Sequence, residues 1–240
     1  MIVEICANSF ESARNAQEAG ADRIELCAEL GVGGTTPTYG LLKKIKEELT
    51  IEVSVLLRPR SGNFTYSSAE FDILKKDIEL CKELGCEGIV AGVLNADNTL
   101  DVERTKELIE LSKPLHFTFH RALDWVPDVH ETMQQLITLG CDRVLTSGQQ
   151  PKAILGIDLL TSLHQQYGEK ITIMPGSGIN EENILKFKER GFKEIHFSAS
   201  KPVHVLDAEP RISFSGGQQD EKTVSVSNLE IIKRMIKSVK

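Results

Sequence analysis

The sequence lacks any apolar run near the roughly 18 residues that a membrane-spanning helix needs. It also lacks a basic cluster, and 28 Lys and Arg against 35 Asp and Glu give a net charge of -7. This balance argues against a nucleic-acid-binding surface. The first residues, MIVEICANS, have neither the length nor the positive charge of a secretory signal. We therefore expect a cytoplasmic protein without membrane or nucleic-acid partners.

Cysteine is sparse and follows no ligand pattern. The five Cys residues include no CxxC pair and no closed zinc framework. An odd number without framework spacing indicates reduced thiols rather than disulfides. Cys81, Cys86 and Cys141 are expected to be small buried residues. Cys6 and Cys27 differ, because each ends a predicted strand on the side of a predicted pocket.

A repeated pattern is present instead. Gly20 precedes ADRIELC, and similar glycine-led segments begin at Gly85, Gly140 and Gly191. Their spacing of about 50 to 65 residues is twice the length of one strand-plus-helix unit. These segments therefore represent every second strand of a parallel βα series.

Eight strands alternating with helices predict a single (β/α)8 TIM barrel over residues 1–240. The barrel strands occupy about residues 2–198, and residues 201–240 form an irregular polar tail and a final helix near Asn228–Lys237. The predicted strands are Ile2–Cys6, 21–27, Ile51–Leu57, Gly88–Val93, Leu115–His120, Arg143–Thr146, Ile171–Met174 and Glu194–Ser198. An open doubly wound sheet is the alternative. The GVGG segment at Gly31 lacks the third glycine of a dinucleotide fingerprint, so no organic cofactor is predicted.

Strand alternation predicts a polar barrel interior. In a barrel the apolar set faces the helices, so the other set faces inward. That inward set is Glu4, Cys6, Arg23, Glu25, Cys27, Glu52, Ser54, Arg58, His116, Thr118, His120, Glu194, His196 and Ser198. Ionisable groups in such an interior are costly unless paired, and they tend to mark a site. The alternation in the fourth, sixth and seventh strands is too ambiguous to assign.

Five inward residues are the candidates for catalysis: Glu4, Glu25, Arg58, His120 and His196. A carboxylate near imidazole and guanidinium groups can have its pKa tuned for proton transfer. The alternative is a salt-bridged plug, in which Arg23 and Arg58 simply neutralise Glu4 and Glu25.

Two loops have the composition of anion sites. Ser147 and Gly148 follow the sixth strand, and Gly176, Ser177 and Gly178 follow the seventh, before a helix predicted to be capped by Asn180. Barrel phosphate sites commonly occupy the loops after strands seven and eight. The alternative is that tight βα turns simply need small residues.

Several motifs in order resemble the CutC family of copper homeostasis proteins. They are VEICANSFESA, AGADRIELCAELGVGGTTPTYG, LLRPRSGNFTYS, FTFHRALD, RVLTSG and IMPGSGI. The resemblance runs from Ile2 to about Ser198 and implies a TIM barrel, a cytoplasmic location and a homo-oligomer, most simply a dimer. It also implies a copper role in which Cys6 and Cys27 are the matching thiols. The segment IHFSASK and the tail beyond it match only loosely.

Two functions follow as expectations. The first is intracellular copper handling, because two thiolates on neighbouring strands can bind Cu(I), with His120 or His196 as a third ligand. Buried inert thiols are the alternative reading of Cys6 and Cys27. The second function is an enzyme acting on a small anionic or phosphorylated metabolite. In it Arg58 holds the anion, and Glu25 or Glu4 moves protons together with His120.

Overall fold

The computed structural model describes residues 1–214 and 220–240 and confirms the predicted barrel. Its strands are β1 (Ile2–Ala7), β2 (Arg23–Leu26), β3 (Glu52–Leu56), β4 (Gly88–Ala91), β5 (His116–Phe119), β6 (Arg143–Thr146), β7 (Thr172–Pro175) and β8 (Glu194–Phe197). All eight form one parallel sheet, in which β1 pairs with both β2 and β8 and the others follow in chain order to β7. Because β7 also packs beside β8, the barrel is nearly closed.

Eight α-helices accompany the strands in the described residues. They are α1 (Phe10–Glu18), α2 (Tyr39–Glu48), α3 (Ser68–Glu83), α4 (Val102–Ser112), α5 (Val129–Leu139), α6 (Ile157–Tyr167), α7 (Ile184–Glu189) and α8 (Leu229–Val239). Ser67 and Glu70 form a capping box at the start of α3, and Asp101 caps α4. Within the described ranges, no helix has the length and apolarity to cross a membrane.

The main core lies between the sheet and the helices. Ile5, Ile24, Val53, Ile89 and Phe117 occupy one face of their strands and are at most 1% exposed. Burying each such side chain contributes about 1.5–3 kcal/mol to folding. The apolar set therefore fills the outer layer, and the polar set is left for the barrel interior.

Two predicted helix starts are wrong. The sequence after β6 predicts a helix from about Pro151 to Tyr167, but the helix begins at Ile157, because the intervening turns place the Ala153 amide on the Ser177 carbonyl. The helix after β7 is capped at Asn183 rather than Asn180. Asn180 instead accepts a hydrogen bond from Glu182 and stabilises a preceding turn.

The tail contains a hairpin that the sequence analysis treated as irregular. Its strands, β9 (Ser200–His204) and β10 (Thr223–Ser227), pair antiparallel. The alternation in β10 is the sequence signal that indicates it. The end of β10 contacts α1, because Ser227 receives a hydrogen bond from Asn15 and donates one to Ser12. The tail is thereby joined to the barrel wall.

Candidate functional site

A cavity of about 400 Å³ opens at the carboxyl ends of the strands. Four of the five predicted catalytic residues line it: Glu25, Arg58, His120 and His196. Glu4 lies beneath them and is fully buried. Apolar side chains, including Leu30, Leu56, Phe64 and Trp125, form much of the remaining wall. Parallel strands bring all these polar groups together because their carboxyl ends meet at one edge.

Two predicted inward residues do not reach the interior. Glu52 and His116 each begin a strand and are exposed at the opposite, amino-terminal end of the barrel. His116 lies 3.8 Å from the Asp142 carboxylate there. The inward-facing sets of β3 and β5 were predicted correctly. The first residue of each of these two strands, however, lies below the closed interior.

An ion-pair network fills the barrel below the cavity. Arg23 donates hydrogen bonds to both Glu4 and Glu194. Arg143 joins the network by donating to Glu194 at 2.6 Å and to the Thr118 hydroxyl at 3.1 Å. The inward position of Arg143 was not predicted, because adjacent apolar residues make the alternation of β6 ambiguous. The plug interpretation therefore fits Glu4 and Arg23, which pair directly.

Glu25 is not part of that plug. Its Oε2 atom has no hydrogen-bond partner among the residues that the structure describes, and it lies 3.6 Å from Nδ1 of His196. The same nitrogen lies 2.7 Å from Oε1 of Glu4. Burial, together with the Glu4 charge, raises the pKa of Glu25 to about 7. Burial opposes the ionisation of Glu4 as well, but Arg23 and the His196 contact outweigh it and bring its pKa to about 2.

His196 is buried between these carboxylates. Burial alone would lower the pKa of His196, but the charges of Glu25 and Glu4 and the hydrogen bond to Glu4 raise it above its ordinary value. Glu25 and His196, both with raised pKa values, therefore lie side by side at the cavity.

Arg58 holds the loops at the rim of the cavity. Its guanidinium donates to the carbonyls of Val32 and Gly34 at 2.8 Å and of Gly62 at 2.7 Å. It also lies over the Phe64 ring, 5.2 Å from the centroid. Arg58 makes no ion pair among the residues that the structure describes. Its charge is consequently left uncompensated on the cavity wall, and the plug interpretation does not extend to it.

His120 is neutral in its buried position. Its Nδ1 atom accepts a hydrogen bond from the Ala122 amide at 3.2 Å, so the proton resides on Nε2, which has no hydrogen-bond partner in the described part of the chain. Burial and the nearby Arg58 charge lower the pKa of His120 to about 3. Gly92 makes room for the ring, because a Cβ atom there would lie 2.6 Å from it.

The two candidate thiols adjoin each other at the end of β1 and just after β2. Their Sγ atoms are 3.7 Å apart. Cys6 lines the cavity, whereas Cys27 is fully buried against Leu56 and Val90. The contact with Cys27, burial and the Glu25 and Glu4 charges all raise the pKa of the Cys6 thiol. Without a cation the Cys6 thiol is therefore protonated.

The loop after β6 already binds an internal anion. The amides of Ser147 and Gln149 donate to the Asp124 carboxylate at 3.1 Å, and the Thr146 hydroxyl donates to it at 2.6 Å. The Gly148 amide donates to Thr146 Oγ1 at 3.0 Å. The polar groups of this loop thus bind the Asp124 carboxylate, which the sequence pattern does not identify as a site residue. These amides of Ser147 and Gly148 are not free for an external anion.

The loop after β7 differs. Gly176 is tied to the Thr146 carbonyl, but the backbone N–H groups of Ser177 and Gly178 donate no hydrogen bond within the described residues. Both residues have positive φ, 81° and 69°, and both line the cavity. Consecutive N–H groups in such a turn can form an anion-binding concavity. Anion binding at Gly176, Ser177 and Gly178 stays a prediction.

Comparisons with known proteins agree on one family. The model of the CutC family matches residues 1–201. A CutC family protein of Bacteroides fragilis is 48% identical to this chain over 204 residues, which cover 84% of this chain and 81% of the relative. Its counterpart in Xanthomonas campestris pv. campestris is 40% identical over 228 residues, covering 94% and 95% of the two chains.

A crystal structure shows the same likeness in three dimensions. It is the structure of CutC from Streptococcus agalactiae, a protein for which a role in copper homeostasis has been suggested. The two chains are 34% identical with a TM-score of 0.78, and the match covers 82% of this chain and 98% of the other.

Proposed function

Since this chain belongs to the CutC family, we propose that it binds one Cu(I) ion between Cys6 and Cys27 and serves in cytoplasmic copper handling. The observation that supports this most directly is the Sγ–Sγ distance of 3.7 Å at a cavity open to solvent. Thiolates are the soft ligands that Cu(I) prefers. A metal–sulfur bond is about 2.3 Å long, so two sulfurs flanking one ion lie at most about 4.6 Å apart. An increase of less than about 1 Å in the present Sγ–Sγ distance of 3.7 Å would therefore admit the ion.

The surroundings of the pair favour a cation over free thiolates. The negative charges of the Glu4 and Glu25 carboxylates oppose ionisation of the Cys6 thiol. The same charges attract a positive ion to the thiol pair. The ion would replace the thiol protons. His120 and His196 line the same cavity and are the next residues to test as a third ligand.

The test is an anaerobic Cu(I) titration against a competing chelator. We expect one ion per chain in the wild type and an affinity at least about 100-fold lower in Cys6→Ser/Cys27→Ser, because no soft ligand remains there. Cys81→Ser/Cys86→Ser is the matched control, since these are also buried thiols but lie away from the cavity. Affinity retained in the first double variant would refute the proposal.

A second candidate function is an enzyme acting on a small anionic metabolite. The observation that favours it is that one cavity is lined by the Arg58 charge, which has no ion-pair partner in the described chain, and by Ser177 and Gly178, whose amides donate no hydrogen bond there. Glu25 and His196, 3.6 Å apart on that cavity's floor, are placed to exchange a proton with a bound molecule.

Inorganic phosphate is the probe for this candidate, with binding measured by calorimetry. We expect Arg58→Met to weaken phosphate binding by at least about tenfold, because it removes a charge-assisted donor. Arg60→Met is the control, since Arg60 is already paired with Glu70 at 2.5 Å. Because Arg58 also ties the rim loops, Arg58→Lys provides a second variant that keeps the charge. Equal affinity in the wild type, Arg58→Met and Arg60→Met would remove the candidate.

A further inference from the structure

We propose that Glu4, Glu25 and His196 form a binding site for a divalent cation such as Mn²⁺, separate from the thiol pair. One oxygen from each carboxylate and one imidazole nitrogen all lie within 4.8 Å of one another. The three residues come from neighbouring strands, where Glu4 is directly opposite His196 in the β1–β8 register. Ions of this size bind oxygen ligands at about 2.0–2.1 Å, which requires ligand atoms about 3 Å apart. The observed distances of 2.7 and 3.6 Å from His196 Nδ1 to the two carboxylates bracket that value.

A second observation points to a missing ligand. Glu25 is 4% exposed, and within residues 1–214 and 220–240 its Oε2 atom, which faces His196, has no hydrogen-bond partner. A buried carboxylate oxygen without a donor is costly, and proteins usually pair such groups or use them to coordinate metals. Glu4 accepts a hydrogen bond from Arg23 through its Oε2 atom. Its Oε1 atom and the Oε2 atom of Glu25 both face Nδ1 of His196.

The charges of the surrounding network leave room for a cation. Three carboxylates, those of Glu4, Glu25 and Glu194, face two guanidinium groups, those of Arg23 and Arg143. With neutral His196 the group carries one excess negative charge. A divalent ion converts this to one positive charge at the cavity floor. That charge would sit beside a cavity whose rim already carries the unpaired Arg58.

The ligand types select the kind of ion. Carboxylates suit Mn²⁺ and Mg²⁺, and imidazole suits the transition metals, so this set favours a divalent transition ion over Cu(I). Three protein ligands leave coordination positions open. Glu25 and His196 line the cavity while Glu4 lies below it, so the open positions would face the cavity.

Mn²⁺ alone is the probe, because it binds thiolates poorly and its free aqueous ion has an EPR signal that diminishes on binding. The full chain is titrated without any copper present. We expect one Mn²⁺ per chain and an affinity at least about tenfold lower in Glu25→Gln, which keeps the shape but removes the charge. Glu52→Gln is the matched control, since it removes an exposed carboxylate at the other end of the barrel.

Two comparisons separate this proposal from the copper site. Cys6→Ser/Cys27→Ser should bind Mn²⁺ like the wild type. Glu25→Gln should lose far less Cu(I) affinity than the thiol double variant, because both thiols remain, and its circular dichroism spectrum verifies that it is folded. No Mn²⁺ binding by the wild type at millimolar concentration would overturn the proposal. So would equal affinity in Glu25→Gln and Glu52→Gln, or loss of Mn²⁺ binding in the thiol double variant.

Discussion

Replacing Arg23 by methionine is expected to lower the free energy of unfolding by about 3–5 kcal/mol. Arg23 is 6% exposed and is the group that links Glu4 to Glu194. Methionine approximates the length of the side chain but offers no donor. Glu194 would keep Arg143, whereas the fully buried Glu4 would keep only its contact with His196. Breaking a buried ion pair from one side is costly because the other charge remains buried. Urea unfolding at neutral pH measures the loss.

The pH dependence of the same variant distinguishes this cause from lost packing. In the wild type the pKa of Glu4 is about 2, below its ordinary value of 4.5. Glu4 therefore contributes stability that is present above pH 4.5 and is lost as the pH falls towards 2. Without Arg23 that contribution is missing, so the stabilities of the wild type and Arg23→Met should converge over this range. A difference that stays constant would assign the loss to packing instead.

Arg190→Met is the control for the Arg23 variant. Arg190 pairs with Asp158 at 3.2 Å on the surface, where that carboxylate is 94% exposed. Exposed pairs contribute about 0–1 kcal/mol, so little change is expected. A loss below 1 kcal/mol for both variants would show that the buried network has no special role in stability.

The barrel strands were predictable because their side chains alternate regularly. In β1 and β2 every second residue is charged or a thiol, which indicated that Glu4, Cys6, Glu25 and Cys27 share one face. Alternation also places successive inward residues in layers along the barrel axis. Within each strand, the carboxylates of Glu4 and Glu25 lie one layer deeper than the thiols of Cys6 and Cys27, which are nearer the carboxyl ends. Glycines at the ends of helices marked the strand entries, as Gly140 does after α5 with φ of 78°.

The partners of these residues could not be predicted in the same way. Arg143 lies in a strand with two adjacent apolar residues, Val144 and Leu145, so its direction was undetermined. The partners of Arg58 are backbone carbonyls in two loops, and loop conformation depends on tertiary contacts that no periodicity encodes. Asp124 was found only once the structure brought its loop against the Ser147 amide.

Replacing His120 by asparagine is expected to make the protein less sensitive to acid. The pKa of His120 is about 3 in the folded chain, whereas an unfolded histidine titrates near 6.5. Because the folded value is lowered, neutral His120 contributes stability above pH 6.5 that is lost as the pH falls towards 3. Between pH 6.5 and pH 4 this loss amounts to about 3 kcal/mol. In His120→Asn the decrease in unfolding free energy between pH 7 and pH 4 should be smaller by that amount.

Asparagine is chosen because its side-chain oxygen can accept the Ala122 amide in place of the imidazole nitrogen. The charges that face His120 are those of Arg58 and Arg121, and neither titrates in this range. His204→Asn, at an exposed position of the hairpin, is the control. Urea unfolding at pH 7, 5.5 and 4 gives the comparison. An acid dependence that is the same in the wild type and His120→Asn would contradict the prediction. It would mean that burial against the Phe64 ring, 4.8 Å between centroids, does not lower the pKa of His120 in the folded chain.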